Sequence, residues 1–253
     1  MADHASASPL YKLQGICKSF GHVEALKDVD IDVTRGEIIG LVGDNGAGKS
    51  TLIKILSGIY QPDRGSIECG GQVQHITSYR DSQALGIATI YQDRALVDSV
   101  SIYRNIFMGN EVVSPLGFMG KREMRNITRR LLGETISIGL SNPDQPVGEL
   151  SGGQKQAVAI VRAIHFKAQL LLLDEPTNAL SVKESNQVMT FVKGLRDEGI
   201  SSVFVTHNLF HVYSIADRFV ILNRGIKVGD YRKTEISIEK LEEIIVAGAE
   251  RGA

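Results

Sequence analysis

A glycine-rich loop near the N-terminus has the residue types and spacing needed to bind phosphate. Residues 43–51 read GDNGAGKST, which fits a glycine, any four residues and then Gly-Lys-Ser. In such a loop the glycines let backbone N–H groups close around phosphate oxygens, the lysine reaches the β- and γ-phosphates, and the serine hydroxyl can ligate Mg²⁺. The loop therefore predicts a nucleoside triphosphate site, with a glycine-rich turn before an ordinary helix as the alternative. The candidate binding residues are Gly43, Asp44, Asn45, Gly46, Ala47, Gly48, Lys49, Ser50 and Thr51.

A run of four leucines followed by two carboxylates supplies the second half of such a site. Residues 170–173 predict a buried strand, and Asp174 and Glu175 follow it directly. Asp174 is suited to hold the Mg²⁺ shell. Glu175 is placed to polarise an attacking water, a general-base role worth about 10² to 10⁴ in rate. Many strands end in an acidic turn, so it is the combination with the glycine loop that predicts nucleotide hydrolysis.

The elements that must position these residues follow from apolar periodicity. Residues 37–42 predict a buried strand and residues 49–57 a helix, so the glycine loop joins a strand to a helix. Alternating segments over 10–33, with a turn at 20–22, predict an antiparallel edge sheet. Alternating strands and helices in the second half predict a mainly parallel sheet with helices on both faces. The other predicted strands cover residues 66–73, 87–91, 201–206 and 218–223. The other predicted helices cover residues 101–109, 121–138, 183–198 and 209–216, and one more helix begins within residues 150–154 and ends at residue 165.

Composition and charge exclude several classes of protein. The chain has 253 residues, 43% of them hydrophobic, which is enough for a core. Its 28 basic and 29 acidic residues give a net charge of −1, so no overall field attracts nucleic acid. Cys17 and Cys69 cannot form a disulfide framework, and residues 1–9 lack the features of a secretory signal and are expected to be a flexible tail. No apolar stretch approaches the roughly 20 residues of a spanning helix.

One basic stretch could be read as a nucleic-acid surface. Residues 121–130 carry five lysines and arginines, but Met124, Ile127 and Leu131 stand at helical spacing in the same segment. We interpret the basic residues as the solvated face of a helix whose opposite face packs on the core. We therefore expect no nucleic-acid partner.

Residues 150–154 read LSGGQ at the start of a predicted helix. A serine cap on an ordinary helix would explain Ser151, but a second glycine-rich helix N-terminus in a chain with a phosphate loop predicts a second anion site. With this string the chain resembles the ATP-binding cassette (ABC) ATPases over residues 10–248. LSGGQ is the signature motif of that family. The resemblance implies that Ser151, Gly152, Gly153 and Gln154 contact ATP bound to a partner subunit.

The resemblance also assigns roles to residues that would not stand out alone. Phe20, in CKSFGHVEAL, matches the aromatic residue that stacks on adenine, with a core aromatic of the hairpin as the alternative. Gln92, in ATIYQD, matches the glutamine that touches Mg²⁺ and links to the membrane partner. His207, closing VFVTH, matches the histidine that contacts the γ-phosphate. The implied catalytic residues are Glu175, His207 and Gln92, and the implied metal ligands are Ser50, Gln92 and Asp174.

The resemblance sets the expected fold. It implies an α/β P-loop NTPase (ABC ATPase) core with a mainly parallel sheet, an antiparallel β edge subdomain and an inserted helical subdomain at about residues 93–165. These parts form a single ATP-binding domain over residues 10–248.

Two departures from the common family pattern narrow the expected function. Ser181 stands where the family usually has aspartate, and Asn208 replaces a commoner acidic residue. Both resemble the ATPases of monosaccharide importers. That resemblance implies an ATP- and Mg²⁺-dependent subunit that energises import of a monosaccharide, peripheral on the cytoplasmic face of the cell membrane, working with permease subunits and indirectly with a solute-binding protein. Such ATPases are often two fused cassettes, and since this chain holds one, we expect a homodimer. A soluble ABC ATPase of DNA repair or translation and an exporter-type ABC ATPase are the alternatives.

The family places residues 92–102 against a cytoplasmic helix of the permease. Ala95, Leu96, Val97 and Val100 are apolar, and the polar residues among them favour a loop. An apolar patch rimmed by polar groups is a candidate partner site. The alternative is that these side chains seat the helical insert on the core.

Overall fold

The computed structural model describes residues 8–91, 96–114, 117–135 and 140–250. The strands are β1 (Tyr11–Phe20), β2 (Val23–Val33), β3 (Ile38–Val42), β4 (Arg64–Cys69), β5 (Gln72–Gln74), β6 (Ile87–Ile90), β7 (Leu170–Asp174), β8 (Ser201–Val205), β9 (Arg218–Asn223) and β10 (Ile226–Arg232). The helices are α1 (Lys49–Leu56), α2 (Tyr79–Ala84), α3 (Ile102–Phe107), α4 (Lys121–Thr135), α5 (Gly152–His165), α6 (Val182–Asp197), α7 (Leu209–Ile215) and α8 (Ile238–Glu250), with a 3₁₀ turn at Val147–Glu149. None of the helices in these ranges is long and apolar enough to cross a membrane.

A six-stranded sheet forms the centre of the molecule, in the order β10-β9-β3-β8-β7-β6. All neighbouring strands in it are parallel except β9 and β10, which form an antiparallel hairpin. The prediction of a mainly parallel sheet is therefore confirmed. Because parallel strands end at the same edge of a sheet, the residues that follow β3, β7 and β8 come together there.

The sheet separates two hydrophobic cores. In β7, Leu171 and Leu173 pack into one core and Leu170 and Leu172 into the other, since successive side chains of a strand point to opposite faces. All four are fully buried. A strand buried on both faces explains the unbroken apolar run in the sequence.

The N-terminal segments form a second, four-stranded antiparallel sheet in the order β2-β1-β4-β5. The hairpin of β1 and β2 agrees with the expected antiparallel pieces and turn. The prediction of one strand over 66–73 is wrong, because Gly70 and Gly71 both adopt positive φ and turn the chain. β5 then pairs back on β4, with Gln72 opposite Cys69.

Helices α3, α4 and α5 follow β6 and precede β7 in the sequence, and they pack against one another. Met124 and Leu132 of α4 are buried, as the helical spacing predicts. On the other face of α4, Arg125 binds Asp144 at 2.7 Å and its guanidinium lies 4.8 Å from the centre of the Tyr103 ring. Part of the basic face is thus used within the chain. The predicted end of this helix, at 136–138, lies outside the described residues.

Candidate nucleotide site

The glycine loop joins β3 to α1 and is pressed against the hairpin of β9 and β10. Gly43 has φ 145, and a Cβ at this position would collide with the carbonyl oxygen of Leu222. Gly225, in the β9–β10 turn, donates its N–H to the oxygen of Ala47 at 3.0 Å. Lys27 of β2 donates its own N–H to Gly225 at 2.7 Å. The loop therefore rests on a turn that β2 holds in place.

Lys49 reaches back over the loop from the first position of α1. Its Nζ donates to the carbonyl oxygens of Gly43 at 2.7 Å and Asp44 at 2.9 Å. Burial lowers the pKa of Lys49, and the charges of Glu175, Asp44 and Asp174 act in the opposite direction. A half-buried cation thus lies where the loop's backbone N–H groups would surround phosphate.

The two carboxylates at the end of β7 stand in different environments. Burial raises the pKa of Asp174, the neighbouring Glu175 raises it further, and Lys54 and Lys49 lower it. Glu175 has φ 51, a left-handed conformation unusual for a residue with a Cβ. Its N–H donates to the oxygen of Val205 at 2.9 Å, which ties this strained position to the end of β8.

The structure brings Glu175 and His207 together. The His207 Nδ1 lies 3.0 Å from Glu175 Oε2, and the His207 N–H donates to Glu175 Oε1 at 3.0 Å. The Thr206 hydroxyl donates to Oε2 at 3.2 Å. The segment after β8 therefore holds the candidate base by both of its oxygens.

An open cleft of about 710 Å³ collects most of the predicted site. Residues 45–51 line it together with Asp174 and Glu175, so the phosphate loop and both carboxylates face one space. Val23 and Arg224 also line this cleft and were not predicted from the sequence. Val23 is 67% exposed, and its position at the start of an alternating strand gives no sign of this in the sequence.

Other predicted site residues do not line the cleft. Phe20 is 42% exposed, and its ring packs edge-on against Tyr60 with the centroids 5.0 Å apart. His207 meets the cleft through Glu175 rather than by lining it. Gln92 lies outside the described residues, and its role stays a prediction.

The signature string begins α5, as expected. The Ser151 hydroxyl accepts the N–H of Gln154 at 3.3 Å, and the Gln154 side chain accepts the N–H of Ser151 at 3.0 Å. This reciprocal pair is a capping box. None of the residues from Ser151 to Gln154 is among those that line the cleft, so contact with ATP on a partner subunit stays a prediction.

Both departures from the family pattern are helix caps. Ser181 caps α6, where its hydroxyl accepts the N–H of Glu184 at 3.3 Å. Asn208 caps α7, where its side-chain oxygen accepts the N–H of His211 at 3.1 Å. Replacing a capping serine or asparagine by alanine typically costs about 1 kcal/mol, so each residue has a local reason for its type.

Comparison with known proteins decides the family. The sequence profile described as "ABC transporter" matches residues 26–178, more than half of the chain. The chain belongs to the ABC transporter family. It is an ABC ATPase, as the resemblance of its motifs implies.

Relatives of this ABC ATPase include sugar import proteins. The "Xylose/arabinose import ATP-binding protein XylG" of Sulfolobus acidocaldarius is 41% identical over 96% of each chain. The "Fructose import ATP-binding protein FrcA" of Rhizobium meliloti is 40% identical over 86% of each. The "Ribose import ATP-binding protein RbsA" of Caldanaerobacter subterraneus subsp. tengcongensis is 36% identical over 94% of this chain, which spans 48% of that protein.

Solved structures agree with the expected fold. A nucleotide-free ATP-binding cassette from an ABC transporter matches with a TM-score of 0.80 at 24% identity, covering 94% of this chain and 95% of that one. A cassette in its ADP conformation matches with a TM-score of 0.82 at 23% identity, covering 98% and 100%. These likenesses concern the fold alone, and they confirm the α/β ABC ATPase architecture. The limits of the helical insert, placed at about 93–165, stay a prediction.

Proposed function

We propose that this ABC ATPase binds and hydrolyses ATP to drive import of a monosaccharide through separate membrane permease subunits. One observation carries the proposal: the chain matches a xylose/arabinose import ATP-binding protein over 96% of both sequences. The names of the fructose and ribose relatives point to the same class of substrate. The relatives thus favour import over the repair, translation and export alternatives.

Nucleotide binding follows from the loop and Lys49. On our proposal the lysine exchanges the carbonyl oxygens of Gly43 and Asp44 for phosphate oxygens, while the loop's N–H groups and the start of α1 receive the remaining charge. Phe20 and Val23 are both exposed at the ends of the first hairpin strands. Val23 lines the cleft, so the adenine ring has an apolar neighbour there besides the predicted Phe20.

Hydrolysis requires a base and a group that orients it. Glu175 faces the cleft and is the candidate to accept the proton of the attacking water. His207 lies 3.0 Å from that carboxylate, so we assign it the orientation of Glu175 as well as the predicted contact with the γ-phosphate. The proton passes to a Glu175 oxygen as the water oxygen bonds to the γ-phosphorus, and the bond between that phosphorus and the bridging oxygen breaks, so that ADP leaves.

Mg²⁺ fits the same cleft by the chemistry of its donors. Ser50 and Asp174 offer the hard oxygen atoms that Mg²⁺ prefers. Within the described ranges, no group of three His, Cys, Asp or Glu side chains could hold a metal ion, and Mg²⁺ in nucleotide sites takes only one or two carboxylates and completes its shell with phosphate and water. When bound, the ion neutralises charge on the phosphates. A bound cation would oppose the burial that raises the pKa of Asp174.

We propose that two copies close head to tail, so that residues 151–154 of one copy cover ATP bound to the other. This arrangement follows the predicted partner contact of the signature. The subunits would sit peripherally on the cytoplasmic face of the cell membrane, each against a permease subunit that receives sugar from a solute-binding protein.

The segment before α3 supports a path from the permease to the signature helix. Asn105 is fully buried and donates to the oxygens of Val97 at 3.0 Å and Val100 at 3.2 Å. Asp98 accepts the N–H of Gly148 through its backbone oxygen at 2.9 Å and binds Lys155 through its side chain at 2.9 Å. A displacement of this segment would therefore be transmitted to α5.

Sugar uptake in cells tests this proposal. Cells of the source organism lacking the gene should lose ATP-dependent uptake of labelled xylose, ribose or fructose, and the wild-type gene should restore it. A Glu175→Gln copy should not restore uptake, because the purified variant should bind ATP but hydrolyse it at least about a hundredfold more slowly. Normal uptake of all three sugars in the deletion strain would refute monosaccharide import.

A further inference from the structure

One carboxylate joins the first turns of two helices. Glu184, in the first turn of α6, accepts through Oε2 the N–H of Ser181 at 3.0 Å and its hydroxyl at 2.7 Å. Through Oε1 it accepts the N–H of Gly153 at 3.1 Å. Gly153 belongs to the signature string at the start of α5, so this contact ties the signature to the loop that follows Glu175.

The contact between the two helices is close. Gly153 is buried, and a Cβ at this position would lie 2.9 Å from the Cβ of Glu184. Only glycine lets the carboxylate approach its N–H in this way. Hydrogen bonds from Gly153, Ser181 and Ser151 lower the pKa of Glu184 to about 2. The group is therefore ionised at any physiological pH.

The Gly153 N–H is one of the donors in the first turn of α5 that have no partner within the helix, and an anion is most stable at this end of a helix. We propose that the Glu184 carboxylate accepts this N–H in the separate subunit, and that the γ-phosphate of ATP on a second copy displaces the carboxylate when two copies close. The proposal rests on the head-to-tail dimer of the proposed function. It makes Glu184 a positioning residue that sets the ATP concentration needed for closure.

The direction in which Glu184 changes the ATP concentration needed for closure follows from its charge. A carboxylate held at Gly153 repels an arriving phosphate, and the two compete for one hydrogen bond. Glu184→Gln removes the charge but keeps the shape, and glutamine is also accepted at the third position of a capping box. The variant should therefore fold and close at a lower ATP concentration, by at least about fourfold, which is the factor for like charges about 5 Å apart screened as in bulk water.

The experiment measures dimer formation by the full chain. Glu175→Gln serves as the background, so that ATP is not consumed, and sedimentation velocity gives the fraction of dimer across an ATP titration. Glu184→Gln is added to this background, and Glu198→Gln is the matched control, since it removes the same charge from the exposed other end of α6. Binding of a fluorescent ATP analogue to the monomer and thermal unfolding are measured for each variant.

We expect the dimerisation midpoint to fall for Glu184→Gln and to stay constant for the control, with unchanged ATP binding by the monomer. The difference should shrink in high salt, which a purely structural contact would not show. A midpoint that is unchanged or higher in Glu184→Gln would overturn the role of Glu184 alone. Chains that bind ATP but stay monomeric in every variant would instead overturn the head-to-tail dimer, and this role with it.

Discussion

Replacing Lys49 by alanine tests the phosphate site most directly. Its Nζ donates to the carbonyl oxygens of Gly43 and Asp44, and burial lowers its pKa. Folding has therefore already removed part of the water around this cation. ATP then gains a charged partner whose desolvation does not have to be repeated, and the alanine variant loses this advantage.

The size of the loss can be bounded from these contacts. A hydrogen bond to a charged group is worth roughly 1.5 to 3 kcal/mol. Since about 1.4 kcal/mol corresponds to a tenfold change in Kd, Lys49→Ala should raise the Kd of ATP about ten- to hundredfold. Thermal stability without nucleotide should change little, because the two lost carbonyl contacts are offset by the release of a half-buried charge.

Equilibrium titration with a fluorescent ATP analogue in the presence of Mg²⁺ measures this Kd. Lys193→Ala, which removes an exposed lysine of α6, is the control and should bind like the wild type. A Kd for Lys49→Ala within about twofold of the wild-type value, below the tenfold lower bound of that range, would remove Lys49 from the phosphate site.

Two further predictions concern the permease and pH. Val97 is 40% exposed, whereas Leu96 packs against the core. Val97→Asp should therefore spare ATP binding and hydrolysis by the isolated subunit but abolish co-purification with the permease and sugar uptake. Retained co-purification would assign the segment to core packing. The depressed pKa of Glu184 means that its carboxylate stabilises the fold above pH 4.5 and loses this effect as the pH falls toward about 2. The urea midpoint of the wild type should therefore exceed that of Glu184→Gln near neutral pH and approach it below pH 4.5. A difference independent of pH would contradict the stabilisation of this carboxylate by its hydrogen bonds to the helix ends.

The apolar segment predicted to face the permease shows that the sequence pattern does not predict which of its side chains are exposed. Ala95 lies outside the described residues, Leu96 is half-buried against the core, and Val100 is half-buried with its oxygen bonded to Asn105. Val97 alone of the described members is exposed. Exposure depends on the buried Asn105, a partner that no spacing rule connects to the segment.

Local chemistry made the phosphate loop and the end of β7 predictable. Each is a short motif whose neighbours along the chain confirm it, a strand before the loop and four leucines before Asp174. The hairpin strand β10 was missed because it reads IKVGDYR and alternates between exposed and half-buried residues, without an apolar run. The contact between Glu184 and Gly153 was also missed, because it joins residues 31 positions apart through the packing of two helices.

The backbone hydrogen bonds that support the glycine loop affect how fast the subunit binds its nucleotide. Because Gly225 and Lys27 hold the loop through backbone bonds before any ligand arrives, the entropy lost in ordering those residues belongs to folding and not to binding. ATP therefore enters a preorganised cradle, and no slow rearrangement of the loop has to precede capture. Nucleotide affinity should therefore also be sensitive to changes in the turn between β9 and β10, whose backbone supports the loop.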